Sequence, residues 1–390
     1  MQVKQIYALL NDVTKEVLGS TELVKEDLTG LVDLGTEVFN QNAVDNYVKS
    51  LVNHIGKVIF VNRPYSGKIP SVLMDSWEFG SVLEKINADI PEAEENKTWD
   101  LVDGQSYSQD VFHKPVVTAK FFNSKVTFEV PVSITERQVK ESFSNSEQLN
   151  AFLSMIYNAV EKAITIKTDA LIMRTINNMI GETLIADATA FGGAGSEDYT
   201  SASTARCVNL LKLYNTQKGT TLTADKAITD PDFIKFASYT IGLYSDRLAS
   251  ISSVFNIGGK ARFTPKENLH IVLLSDFEKA AKTYLYADSY NKDQVLLPNA
   301  ETIPFWQGSG KKYDFDSVAH ITIKETNGTS VEISGVLGVM FDRDALGVCN
   351  LDRRVTTNYN AKAEFFNNYY KFDAGYFNDT NENFVVFFVA

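Results

Sequence analysis

The sequence predicts a mixed α+β fold hung on one long helix, and three observations carry that prediction. Between Ser144 and Gly181 apolar residues recur at helical spacing with no intervening proline. Ahead of this run, Val126, Phe128, Val130 and Val132 alternate as in a half-buried strand. At the end of the chain, FVVFFV within 383–390 has the unbroken apolarity of a buried central strand.

The helix organises the rest. Ser144 lies three residues before Glu147, the spacing of a reciprocal capping box. Leu149, Phe152, Leu153, Ile156, Val160, Ala163, Ile164 and Leu171 follow at steps of three and four, with Lys162, Lys167 and Arg174 between them. Gly181 offers a C-terminal stop. At ~1.5 Å per residue the run 144–181 extends ~50 Å, longer than an ordinary globular helix. Its Lys and Asp residues exclude a membrane span, and it lacks a heptad seam. A spine packed along one side is the expectation.

The other elements follow in chain order. Residues 3–18 and 22–54 carry amphipathic helical patterns, which fit either an arm that docks on a neighbour or two helices packed on their own domain. KVIFV and SVLM give short extended segments within 56–75. From Trp77 to Ile134, strand-like ends flank an acidic middle, Pro91 to Gln109, that is short of aliphatic residues. A structureless loop of that length is unusual inside a compact domain, so an extended hairpin that finds its partner on another chain is expected. Behind the spine, Phe191 to Ser203 reads as a linker, and Thr204–Lys218 and Asp230–Phe255 read as amphipathic helices. Asp230-Pro231 is a start signal for the second. NLHIVLL is a short buried strand, with a helix from Asp276 to about Asp288 behind it, so the middle third reads as a mixed α/β domain. HITIKETNGTSVEISGVLGVMF predicts a hairpin with Asn327-Gly328 at its tip. The final strand is expected to return to the spine's domain.

Composition narrows the function. The 390 residues allow two or three domains, and 44% hydrophobic with 22% charged residues fits a folded, soluble protein. A net charge of −12 with no basic tail argues against a dedicated nucleic-acid binder. The two cysteines, Cys207 and Cys349, make neither a disulfide framework nor a zinc cluster and are expected as buried small hydrophobes. MQVKQIYALLNDVTKEVLG has no signal-peptide core and no run reaches membrane-spanning length, which together point to a cytoplasm and to no membrane.

Reactive groups are dispersed. No phosphate-binding Gly-x4-Gly-Lys-Ser/Thr frame surrounds Gly67-Lys68 or Gly259-Lys260, and Gly192, Gly193 and Gly195 are misspaced for a dinucleotide turn. Gly308-Ser309-Gly310 is a plain turn rather than a nucleophile elbow. His54, His113, His270 and His320 are scattered, with no HExxH. Residues 379–383 begin like a calcium loop but lack its glycine and closing glutamate, which leaves a polar turn before the last strand. Asp342 and Asp344 flank Arg343 in what reads as a turn with local ion pairs. No catalytic, cofactor or metal residue is assigned, and a chain of this size without concentrated reactive residues points to a structural role.

The order of parts (helical leader, long β excursion, spine helix, α/β middle, β return) resembles the major capsid protein of tailed bacteriophages, with its HK97-type fold. WEFGSVLEKI, LLSDFEKAAKTYLYADSYN, PFWQGSG and KFDAGYFNDTNENFVVFFV are similar to capsid proteins of phages of Gram-positive hosts. The resemblance implies an N-terminal arm over 1–55, the start of a P-domain over 56–75, an E-loop over 76–128 and a P-domain over 129–184 holding the spine helix 144–181. It further implies an A-domain over 185–320 and return β elements of the P-domain over 321–390. It implies pentamers and hexamers of the chain itself, closed as an icosahedral shell around double-stranded DNA that is contacted non-specifically. A separate scaffolding protein, a portal and decoration proteins would be the partners, with assembly in the host bacterial cytoplasm and residence in the virion. Lys85, Lys97 and Lys114 lie in or near the excursion, and no Lys–Asn crosslink is expected from them. Trp77, Phe79 and Trp99 are candidate inter-subunit contacts, as are the pairs Phe365-Phe366 and Tyr369-Tyr370, with a core role the alternative for each. An encapsulin-like shell around an enzyme cargo, another phage structural subunit and a soluble α/β enzyme with a dispersed site are the competing readings.

Overall fold

The computed structural model describes residues 11, 13–17, 69–74, 83–91, 93, 95–96, 99–107, 112–135, 146–192, 203–288, 300–308, 314–324 and 330–390. In chain order the strands are β1 (Leu73–Met74), β2 (Leu83–Ala88), β3 (Val117–Phe122), β4 (Lys125–Thr135), β5 (Cys207–Asn209), β6 (Leu269–Leu274), β7 (Glu301–Ile303), β8 (Ile321–Lys324), β9 (Ser330–Ile333), β10 (Val336–Asp342), β11 (Leu346–Asn360), β12 (Phe365–Asn378) and β13 (Phe384–Phe388). The principal helices are α1 (Ser146–Gly192), α2 (Leu210–Lys218), α3 (Pro231–Leu248) and α4 (Ser275–Asp288). Of the leader predicted over 1–55, residues 11 and 13–17 are described, and they are helical.

The chain divides into two compact units. The first comprises the described residues within Met1–Phe79, Lys125–Ile172 and Val348–Gly375; the second those within Gly80–Ser124, Met173–Gly347 and Tyr376–Ala390. The first is built on a sheet of order β1-β11-β12-β4. β12 and β4 pair antiparallel from Phe365↔Thr135 to Gly375↔Lys125. Their alternation turns Phe366, Tyr370, Phe372 and Ala374 into the core, with Phe128 against Phe372 at 5.0 Å between ring centroids. Thr127 donates to Asp373 (2.6 Å) and Arg354 Nη1 pairs with Asp373 (2.6 Å) on the other face. Val126, Phe128, Val130 and Val132 form the strand that the sequence predicts. Of the aromatic pairs proposed as contacts, Phe366 and Tyr370 are core residues, while Phe365 and Tyr369 are half-buried.

The second unit is centred on a five-stranded mixed sheet of order β5-β13-β10-β6-β7. β13 pairs antiparallel with β10 and parallel with β5, so FVVFF is a central strand with all five residues buried. Residues 269–303 and 336–388 therefore share one sheet, and the α/β middle does not supply its own last strands. Phe233, Ile234, Ala237, Ile241, Phe277 and Ala281 of α3 and α4 cover one face, meeting Val208, Leu273, Val385 and Phe387. On the opposite face Cys207 Sγ donates to the Thr183 carbonyl (3.4 Å), which brings the C-terminal half of α1 onto the sheet. Both cysteines are buried free thiols, as expected. Asp230 caps α3, its carboxylate accepting from Phe233 N–H at 2.8 Å. α3 ends at Leu248 rather than at Phe255, and Cys207–Asn209 is a strand rather than a helix turn because it is paired with β13. β8 and β9 form the predicted hairpin, whose Asn327-Gly328 tip lies outside the described residues.

The spine departs from the sequence expectation in two ways. It runs to Gly192, so Gly181 is not its stop. A Cβ at Gly181 would sit 1.9 Å from Ile323 Cδ1; the glycine admits β8 against the helix instead of ending it. Packing is one-sided only in the first half, where Ile156, Val160, Ile164, Thr168 and Leu171 form a buried stripe and Lys162 and Lys167 stay exposed. From Leu171 to Leu184 most of the circumference is buried. The capping pair Ser144 and Glu147 is not visible as such, since Ser144 lies outside the described residues.

Candidate inter-subunit site

β2 and β3 form an antiparallel ribbon from Leu83↔Phe122 to Ala88↔Val117. The period-2 alternation of strands divides it into two faces. Leu83, Lys85, Asn87, Thr118, Lys120 and Phe122 lie on the half-buried face; Glu84, Ile86, Ala88, Val117, Ala119 and Phe121 are on the exposed one. Lys85, Asn87 and Lys120 turn inward beside Leu83 and Phe122, while Ile86, Val117 and Phe121 face solvent beside Glu84, a partial inversion of an ordinary surface ribbon. Ile86, Val117 and Phe121 are 63%, 55% and 64% exposed.

The inward cations are met by residues 379–383, the turn between β12 and β13. Asp379, with a side chain 0% exposed, accepts from Lys85 Nζ at 2.9 Å and Lys120 Nζ at 2.8 Å. Lys85 also donates to Glu382 (3.1 Å) and to the Asp344 carbonyl (2.9 Å), so its three protons have three acceptors. Arg262 Nε lies 3.5 Å from Glu382, and Lys260 pairs with Asp89 at 2.8 Å. Burial pushes the Asp379 carboxyl up, but Lys120 and Lys85 outweigh it and hold the group below its ordinary value. For Glu382 burial prevails over Lys85 and Arg262, leaving its carboxyl raised. Phe122 rests on Phe377 at 5.1 Å at the lowest rung.

Beyond the ribbon, the described residues of 90–116 are exposed. Trp99 is 95% exposed, and Leu101 and Phe112 also face solvent. Val102 N–H donates to Tyr107 Oη (3.0 Å) within this excursion. Trp99 therefore lies exposed within the excursion, whereas Trp77 and Phe79 lie outside the described residues. Sequence reasoning missed the ionic seat. Its signal was the phase of VLEKINA, where lysine and asparagine share one face with Leu83 and isoleucine and alanine share the other.

The other dispersed groups stay apart. Asp344 N–H donates to Asp342 Oδ1 (2.9 Å), closing the turn around Arg343. His113 is exposed, His270 lies against Phe341 and is held below its usual value chiefly by burial, and His320 Nε2 is 3.2 Å from Thr322 Oγ1. Among the described residues no group of three or more His, Cys, Asp or Glu could hold a metal, and no helix is long and apolar enough to cross a membrane.

An exposed apolar strand face of this kind is a candidate surface for association. The chain belongs to the Phi29-like phage major capsid protein family, whose sequence profile matches residues 10–388. It is the structural protein of a tailed double-stranded DNA phage that forms the icosahedral head, not an enzyme, and it resides in the virion capsid. The encapsulin and enzyme readings are thereby set aside. No curated protein matches it. Solved structures similar to it include the capsid of Staphylococcus phage Andhra, at 9% identity over 85% of this chain and 86% of that one, with a TM-score of 0.47. The capsid of cyanophage P-SCSP1u is similar at 9% identity, 85% and 90% coverage and a TM-score of 0.42. The mature capsid of bacteriophage PhiM1 gives 9%, 84%, 89% and 0.42 in the same terms.

Proposed function

We propose that the head is built from pentamers and hexamers of this chain, and that β2–β3 with its excursion is the E-loop that joins one subunit to the next. The observation that carries this reading is the inverted ribbon, whose apolar face has no cover within the single chain's described residues. Apolar surface exposed on a strand pair is costly in water and prone to association. Burial against a neighbouring copy removes that cost, and stability becomes shared through assembly.

The remaining parts take their roles from this one. The sheet of β4, β11 and β12 with the first half of α1 acts as the P-domain, and the α/β body within 185–320 supplies the A-domain toward the five- and six-fold axes. Residues 1–55 act as the N-terminal arm. A separate scaffolding protein, a portal and decoration proteins complete the head, which assembles in the bacterial cytoplasm. The net acidity of the chain suits a wall against which DNA packs without adhering tightly. Replacing Ile86 and Phe121 together by Asp tests the reading. The expected result is a folded subunit that fails to form capsomers, seen by sedimentation; normal capsomers from that variant would refute it.

A further inference from the structure

The geometry points to the turn 379–383 as an electrostatic latch that seats the β2–β3 ribbon and can release it as an intact arm, so that the arm's position responds to ionic strength. The ribbon has its own pairing, six residues on each strand. Its inward contacts are mainly ionic: Lys85 and Lys120 on Asp379, Lys85 on Glu382, and Asp89 on Lys260. Among the described residues its aromatic packing is Phe122 on Phe377, at the lowest rung.

The seat is fixed by bonds that do not involve the ribbon. Asp379 N–H donates to the Ala345 carbonyl (2.7 Å), Phe384 N–H to the Phe255 carbonyl (2.9 Å), and Asn383 Nδ2 to Thr264 Oγ1 (3.1 Å). Release would therefore leave both ribbon and seat formed. An apolar seam would hold the arm in salt as firmly as without it. Here the released state exposes ammonium and carboxylate groups to counterions, and salt favours it. The screening length falls from ~10 Å at ~0.1 M to ~3 Å at ~1 M. The ribbon's outward face is not used, so the latch stands apart from the contact proposed between subunits.

The test is amine-reactive labelling of the unassembled full chain, read by mass spectrometry at Lys85 with exposed Lys114 as internal reference, alongside amide exchange across 83–88 and 117–122. At low salt Lys85 is expected to label ~10-fold more slowly than Lys114, as a group reached only through local opening. The gap should narrow at ~1 M salt and in Asp379→Asn, while the ribbon amides remain protected. Labelling of Lys85 that ignores salt overturns the latch, and so does loss of amide protection in step with labelling, which would mean the ribbon dissolves. If Asp379→Asn does not fold, the salt series on the native chain decides the question.

Discussion

Asp379 and Glu382 stand three residues apart on one turn and answer protons in opposite senses. The folded-state value of Asp379 is depressed below 3.8, so its contribution is present above that value and is lost as pH falls through the folded one. That of Glu382 is raised above 4.5, so acidification toward 4.5 favours the folded state through this group, and a rise in pH works against it. Through these two groups stability should hold in mild acid and fall only in strong acid, an order that denaturant unfolding across a pH series would check. The same asymmetry predicts the substitutions. Asp379→Asn removes the carboxylate between Lys85 and Lys120, leaves Lys85 with Glu382, and should cost about 2 kcal/mol in denaturant unfolding of the subunit. Glu382→Gln, which imitates the protonated form, should leave stability at pH 7 unchanged or slightly higher. Gly335 is a separate case: φ is 75° and a Cβ would meet the Val389 carbonyl oxygen at 1.9 Å. Gly335→Ala should lower stability by on the order of 2 kcal/mol. These sites were not legible in the sequence, because Lys85 and Asp379 are 294 residues apart and local periodicity carries no information about such pairings.

At the level of elements, what could be read was whatever a local pattern fixes. The alternation in β4, the burial of β13 and the Asp230 cap on α3 all follow from short-range spacing. The end of α1 did not, since glycine signals a stop only when no neighbour needs the space, and β8 needs it at Gly181. Nor did the partners of β13, which lie at β5 and β10, far apart in sequence. That position carries a prediction. Val386 pairs with Cys207 on one side and Val339 on the other and is fully buried. Val386→Asp should prevent the second unit from folding, seen as loss of its cooperative transition, whereas Thr356→Asp at an exposed position of β11 should change stability by less than about 1 kcal/mol.

At the level of the whole molecule, the capsid role was legible from the order of elements, and the family profile over residues 10–388 establishes it. The surface proposed to join subunits was legible only in outline. An acidic excursion short of aliphatics marked a projecting hairpin, but the apolar face lies on its stem, where alternate residues disguise it as an ordinary ribbon. Trp99, exposed in the excursion beyond the ribbon, should matter less than the stem: Trp99→Ala is expected to slow assembly, and Ile86→Asp with Phe121→Asp to abolish it. The most direct measurement is electron microscopy of the chain expressed with its phage neighbours, comparing the native sequence with that double variant. The account predicts closed shells, or sheets of five- and six-membered capsomers, from the native chain and dispersed subunits from the variant. Shells of normal form from the variant would contradict it.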